Sequence, residues 1–99
     1  MNYEEVWKLL RKDPIQRNLL WRLSILTYQL GDVIKAIVYK MYYGSEGHHT
    51  ELKIALADLV AQLKILMIQL GLDYSEIEQL GLERLMEFVV ERMRTWKKQ

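Results

Sequence analysis

From Leu26 to Lys40, apolar residues recur three and four places apart: Leu26, Leu30, Val33, Ile34, Ile37 and Val38. That is the spacing of one face of an α-helix. Gly31 and Asp32 interrupt the face. A glycine inside a helix costs up to about 1 kcal/mol relative to alanine. Gly31 therefore predicts a close backbone contact, and Asp32 beside it predicts a polar site in a bundle interior. The same periodicity continues from Pro14 to about Tyr43, some 30 residues. A helix of that length spans about 45 Å, long for a small domain, and predicts a partner along part of it.

Three further helices follow from capping signals and apolar spacing. Asn2 with Glu5 makes a capping box for a short helix to about Arg11, with Val6, Leu9 and Leu10 inward and Trp7 packing at its flank. Asp13-Pro14 with Gln16 reads as a break and restart. Gly44 to His49 reads as the one clear loop, with His48 and His49 as exposed loop histidines and not a zinc site. Thr50 opens a third helix to Leu70, which Gly71 ends. Its apolar stripe contains Leu52, Leu56, Leu59, Val60, Leu63 and Leu66, and Asp58 falls at the stripe's edge. Ser75 with Glu78 opens a last helix through Leu82, Met86, Val89 and Met93, with Gly81 as a point where it could kink. No strand pattern or internal repeat competes. The predicted fold class is all-α, a four-helix bundle in a single domain over residues 1–99.

Composition narrows the class. An apolar fraction of 51% with one Pro and five Gly suits a packed helical protein. Cysteine is absent, which excludes disulfides and thiolate metal sites. A net charge of +1 provides no global field for nucleic acid, so that partner is unlikely on charge grounds. The basic end, with Arg92, Arg94, Lys97 and Lys98, suits a helix C-terminus. The acidic start lacks signal-peptide order, and charges interrupt every apolar run. The expectation is a soluble, cytoplasmic protein without membrane association.

Two carboxylates stand out by placement. Asp32 has Gln29 and Tyr28 one turn before it, and Asp58 has Ala55 before it and Gln62 after it. A short loop makes the two helices antiparallel neighbours, which brings Asp32 and Asp58 to about the same height. In one reading they are structural carboxylates, satisfied by Lys35, the Tyr28 hydroxyl or the amides of Gln29 and Gln62. In the other they hold a metal.

The phrase Leu26-Thr27-Tyr28-Gln29-Leu30-Gly31-Asp32-Val33, followed after 22 residues by Ala55-Leu56-Ala57-Asp58-Leu59, resembles the MazG-like all-α nucleotide pyrophosphohydrolases. Their motif is Glu-Glu-x-x-Glu and then Glu-x-x-Asp, and the likeness covers about residues 20–95. It implies a dimeric or tetrameric helical bundle that holds Mg²⁺ on its carboxylates and cleaves nucleoside triphosphates. The five acidic family positions fall on Tyr28, Gln29, Asp32, Ala55 and Asp58, so only Asp32 and Asp58 remain as candidate metal ligands. Each Mg²⁺ asks for an octahedron of oxygens, though one or two carboxylates suffice when phosphates and waters supply the rest. The resemblance thus implies weak or lost hydrolysis. The alternative is a non-enzymatic helical module for self-association or partner binding, for which three Trp and six Tyr are suitable surface.

Overall fold

The computed structural model describes residues 1–44 and 46–97, with backbone only at 46 and 47. It contains helices α1 (Tyr3–Leu10), α2 (Leu19–Tyr43), α3 (Glu46–Gln69) and α4 (Tyr74–Lys97), and no strand among the described residues. The all-α class is as the periodicity predicts. Lys98 and the Ser45 position of the connection lie outside the described residues.

The ends of the helices show where local chemistry overrides apolar spacing. Asn2 caps α1 as predicted, its Oδ1 accepting from the Glu5 N–H at 2.8 Å. Pro14 does not start α2. The Asp13 carboxylate accepts from the Ile15 N–H at 2.9 Å, and turns follow through Arg17 and Asn18. Asn18 is the cap, its Oδ1 accepting from the Trp21 N–H at 3.2 Å. The long helix is therefore 25 residues, or about 37 Å, and not 30. At its far end Gly44 adopts a left-handed conformation, φ +61, and α3 begins at Glu46. His48 and His49 thus belong to the first turns of α3 and not to a loop. His48 is half-buried, with its ring 5.6 Å from Tyr43 and 5.9 Å from Tyr39.

Gly71 closes α3 as the sequence predicts, at φ +74. The Leu72 N–H donates to the Met67 carbonyl at 2.8 Å and the Gly71 N–H to the Ile68 carbonyl at 3.0 Å, the paired bonds of a Schellman motif. The cap of α4 lies two residues ahead of the predicted Ser75. The Asp73 carboxylate accepts from the Ser75 N–H at 2.8 Å. Gly81 sits inside an unbroken α4.

α2 and α3 form an antiparallel hairpin around a small apolar cluster. Val33, Ala36 and Ala55 are buried, with Leu52 and Leu59 packed against them. α1 lies across α3 near Ile65, which is also buried. The close backbone contact predicted at Gly31 is absent. A Cβ built there meets nothing within 4 Å. Gly31→Ala is expected to stabilise the chain by about 0.5–1 kcal/mol through helix propensity alone, read as a higher urea midpoint at unchanged slope.

Helical geometry divides the hairpin into two sides. On α2, Leu23, Leu30, Ile34, Ile37 and Met41 share a stripe pointing away from α3's line of contact, and all are exposed. On α3, Leu56, Val60, Leu63 and Leu70 form a second exposed stripe. In an antiparallel pair, these stripes turn to the same side, because each lies about a quarter-turn from its own buried face in the matching sense. Asp32 and Asp58 lie a similar angle the other way, on the opposite side. The hairpin is thus apolar on one flank and carries its acidic pair on the other.

α4 does not join this packing. The α3–α4 connection bends the chain by 113°. Among the described residues, α3 is the one helix α4 contacts, and every residue from 78 to 97 is exposed. The radius of gyration is 17.6 Å, against about 12.6 Å for a compact domain of this length. No single helix is long and apolar enough to cross a membrane.

Candidate functional site

The register of the hairpin fixes the height of the two carboxylates. Near the turn, Lys40 Nζ lies 2.7 Å from His49 Nδ1. In the middle, Val33 and Ala36 pack on Ala55. At the far end, Arg22 Nη1 donates to Gln62 Oε1 at 2.6 Å and Nε to Gln69 Oε1 at 3.2 Å. This pairing sets residue 32 opposite residues 56–58. Asp32 is half-buried and Asp58 exposed.

The structural partners that the sequence suggested for these carboxylates are engaged elsewhere. Lys35 Nζ lies 5.4 Å from the Tyr39 ring centroid. Tyr28 is 69% exposed. Gln62 accepts from Arg22. Among the described residues, neither Asp32 nor Asp58 has a side-chain hydrogen bond or ion pair. Gln29, one turn before Asp32, has its Oε1 buried without a hydrogen-bond partner. A buried unsatisfied carbonyl oxygen costs about 1–3 kcal/mol, and here it occurs at one of the family's acidic positions.

Ala55, at another of those positions, has the opposite character. It is 9% exposed and belongs to the apolar cluster. The residue that would supply a carboxylate in the resembling family is here a small core residue. Glu51, the nearest additional carboxylate on α3, has its Oε2 3.3 Å from His48 Nδ1.

The resembling family implies Mg²⁺. Among the described residues, no group of three or more His, Asp or Glu side chains could hold a metal by itself. Asp32 and Asp58 share a side of the hairpin and about the same height, and the orphaned Gln29 Oε1 lies one turn before Asp32 on the buried face of α2. All three are hard oxygen donors. They suit an ion that takes its remaining ligands from water and substrate phosphates. They do not make a closed protein cage.

Sequence reasoning missed the most extended polar network among the described residues. Arg22 is fully buried, at 0% exposure. Its guanidinium donates to the Gln16 carbonyl at 2.5 Å and Gln16 Oε1 at 3.2 Å, in addition to Gln62 and Gln69. Gln69 Nε2 in turn donates to the Arg17 carbonyl at 3.0 Å. The indole rings of Trp7 and Trp21 lie 5.9 and 5.4 Å from the guanidinium carbon. Among the described residues, no carboxylate neutralises it. Burial away from water lowers its pKa, yet arginine stays charged in proteins. Neutral carbonyl dipoles and aromatic faces carry the compensation. The signal was present in the sequence. Stepping the buried face of α2 back from Val33 and Gln29 by whole turns lands on Arg22.

A second concavity, of about 550 Å³, lies between the start of α1 and the α3–α4 turn, lined by Asn2, Tyr3, Lys64 and Tyr74 among others. Lys64 Nζ sits 4.9 Å from the Tyr3 ring and 4.3 Å from the Tyr74 ring. These contacts pin α1 and the first turn of α4 to α3. They are far along α3 from Asp58.

No family model, curated protein or solved structure matches the chain.

Proposed function

We propose that the chain is a relative of the MazG-like nucleotide pyrophosphohydrolases whose Mg²⁺-dependent hydrolysis is weak or lost, and which binds a magnesium–triphosphate at the acidic flank of the α2–α3 hairpin. The observation that carries this reading is the pair Asp32 and Asp58, on one side of the hairpin at matching height and without structural partners. Half-buried Asp32 and the unpartnered Gln29 oxygen are both groups whose desolvation an oxygen-bound cation would offset.

Bound there, Mg²⁺ supplies charge neutralisation for the phosphate oxygens. The protein's part is to present Asp32 and Asp58 on one flank, with the unsatisfied Gln29 oxygen one turn before Asp32. It lacks a placed general base. Tyr28 faces solvent, and Ala55 is buried among apolar groups. Loss of a general base typically lowers a rate by 10²–10⁴, so binding outlasts turnover.

The test pairs two measurements. Thermal unfolding in Mg²⁺ with each nucleoside triphosphate should raise Tm, and pyrophosphate release should stay near background in Mg²⁺ and in Mn²⁺. Asp32→Asn and Asp58→Asn should each abolish the Tm response. A ligand-independent Tm across the panel would remove the nucleotide reading, and rapid pyrophosphate release would refute the claim of lost hydrolysis.

A non-enzymatic partner-binding module is the second reading. The exposed apolar stripes on α2, α3 and α4 favour it.

A further inference from the structure

A helix that is apolar around most of its circumference belongs inside an assembly, not on the surface of a monomer. α3 buries Ala55 and Ile65 toward α2 and α1, yet also presents an exposed apolar stripe on its remaining flank. α2 repeats this on the same side of the hairpin. α4 carries a third stripe, with Leu82, Met86, Val89, Met93 and Trp96 all exposed. Its members are spaced alternately four and three residues apart, the a/d seam of helices that pack side by side. The seam on α3 from Leu56 to Leu70 has the same alternation and the same length. The opposite face of α4 is acidic, with Glu83, Glu87 and Glu91, so α4 has one face to bury and one to leave in water.

The area agrees with a second copy as the occupant. The chain exposes 8012 Å². A compact monomer of 11.9 kDa exposes about 5,950 Å² by the usual size scaling, leaving an excess of about 2,000 Å² per chain. Two chains covering that excess would bury about 4,000 Å² in total, inside the range of obligate homodimers. The two surfaces that need covering, the hairpin flank and the α4 seam, are both on the same chain. A reciprocal exchange therefore satisfies both at once, as two-fold symmetry requires.

We infer that the protein is a homodimer in which α4 of each copy lies along the apolar flank of the partner's α2–α3 hairpin, completing a helical bundle between chains. This assigns the flank opposite Asp32 and Asp58, and so leaves the acidic flank open. It does not depend on the nucleotide reading, because assembly and ligand response are measured separately.

Sedimentation equilibrium of the unmodified chain should give at least twice the monomer mass of 11.9 kDa down to low micromolar concentration. Isotope-filtered NMR on a 1:1 mixture of labelled and unlabelled chains should then show contacts between copies joining α4 methyls (Val89, Val90, Met93) to hairpin methyls (Leu30, Ile34, Leu63). A chain that stays monomeric overturns the inference, whether α4 folds back within its own chain or binds vesicles of anionic lipid. So does a dimer whose contacts between copies are hairpin to hairpin only, or α4 to α4 only.

Discussion

Replacing Arg22 with leucine is expected to cost about 3–5 kcal/mol, close to the whole stability of a small domain. The loss does not come from the charge alone. Arg22 is the shared donor for the carboxamide oxygens of Gln16, Gln62 and Gln69 and for the Gln16 carbonyl. Its removal leaves several acceptors without a donor at the junction of α1, α2 and the end of α3. Each stranded buried acceptor costs about 1–3 kcal/mol. Lysine should not rescue, because a point charge cannot reproduce the planar fork that serves three glutamines at once. Replacing the α3 acceptors as well, in Arg22→Leu/Gln62→Leu/Gln69→Leu, should recover part of the loss, since those two carboxamides go with their donor while the Gln16 and Arg17 carbonyls still lose theirs. Urea unfolding at fixed protein concentration reads this directly. If Arg22→Leu shifts the midpoint by less than the equivalent of 1 kcal/mol, the guanidinium is not the pin that the geometry describes.

Introducing the carboxylate that the resembling family carries at residue 55 should harm the fold. Ala55→Glu places a longer, ionisable side chain where only 9% of the native residue is exposed, against Val33 and Ala36. Overpacking costs about 1–3 kcal/mol, and a buried carboxylate without a partner adds several more or forces its own protonation. A loss of at least 3 kcal/mol is therefore expected without metal. Because the position borders the level of Asp32 and Asp58, Mg²⁺ with a nucleoside triphosphate should return part of that stability to the variant. The wild-type chain should gain less. Unfolding midpoints with and without Mg²⁺ separate the two effects. A variant as stable as wild type would show that residue 55 is not core, and would remove the reason given for proposing weak or lost hydrolysis.

The helices were largely legible because period and capping are local properties. Asn2 and Gly71 act where a reading of the sequence puts them, since a side-chain cap or a left-handed glycine needs only its own neighbours. Errors fell where two local signals competed. Asp13-Pro14 looks like a helix start, but Asp13 spends its carboxylate on the Ile15 N–H, and Asn18 provides the cap that α2 uses. His48 and His49 follow two glycines and a serine and so look like loop, yet the aromatic rings of Tyr39 and Tyr43 receive His48 in a helical turn.

The candidate site was legible in position and not in environment. Heights of Asp32 and Asp58 follow from antiparallel pairing. Which residues they touch does not, because that depends on where Lys35, Gln62 and Tyr28 settle, and each settles elsewhere. Arg22 is easily overlooked for a related reason, although helical stepping puts it on the buried face of α2. A charged residue is read as solvent-facing by default, and its acceptors come from segments distant in sequence. The position of α4 was also beyond reach. Its amphipathic pattern announces a buried face but not whether that face is covered within the chain.

The most direct test is a titration of isotope-labelled protein with Mn²⁺ and a nucleoside triphosphate, followed by NMR line broadening. The bound Mn²⁺ should broaden resonances of Gln29, Asp32 and Asp58 first, leave the apolar flank around Ile34 and Leu63 sharp, and lose this pattern in Asp32→Asn. Broadening centred on any other part of the chain, or none at saturating nucleotide, would contradict a metal–triphosphate site on this hairpin.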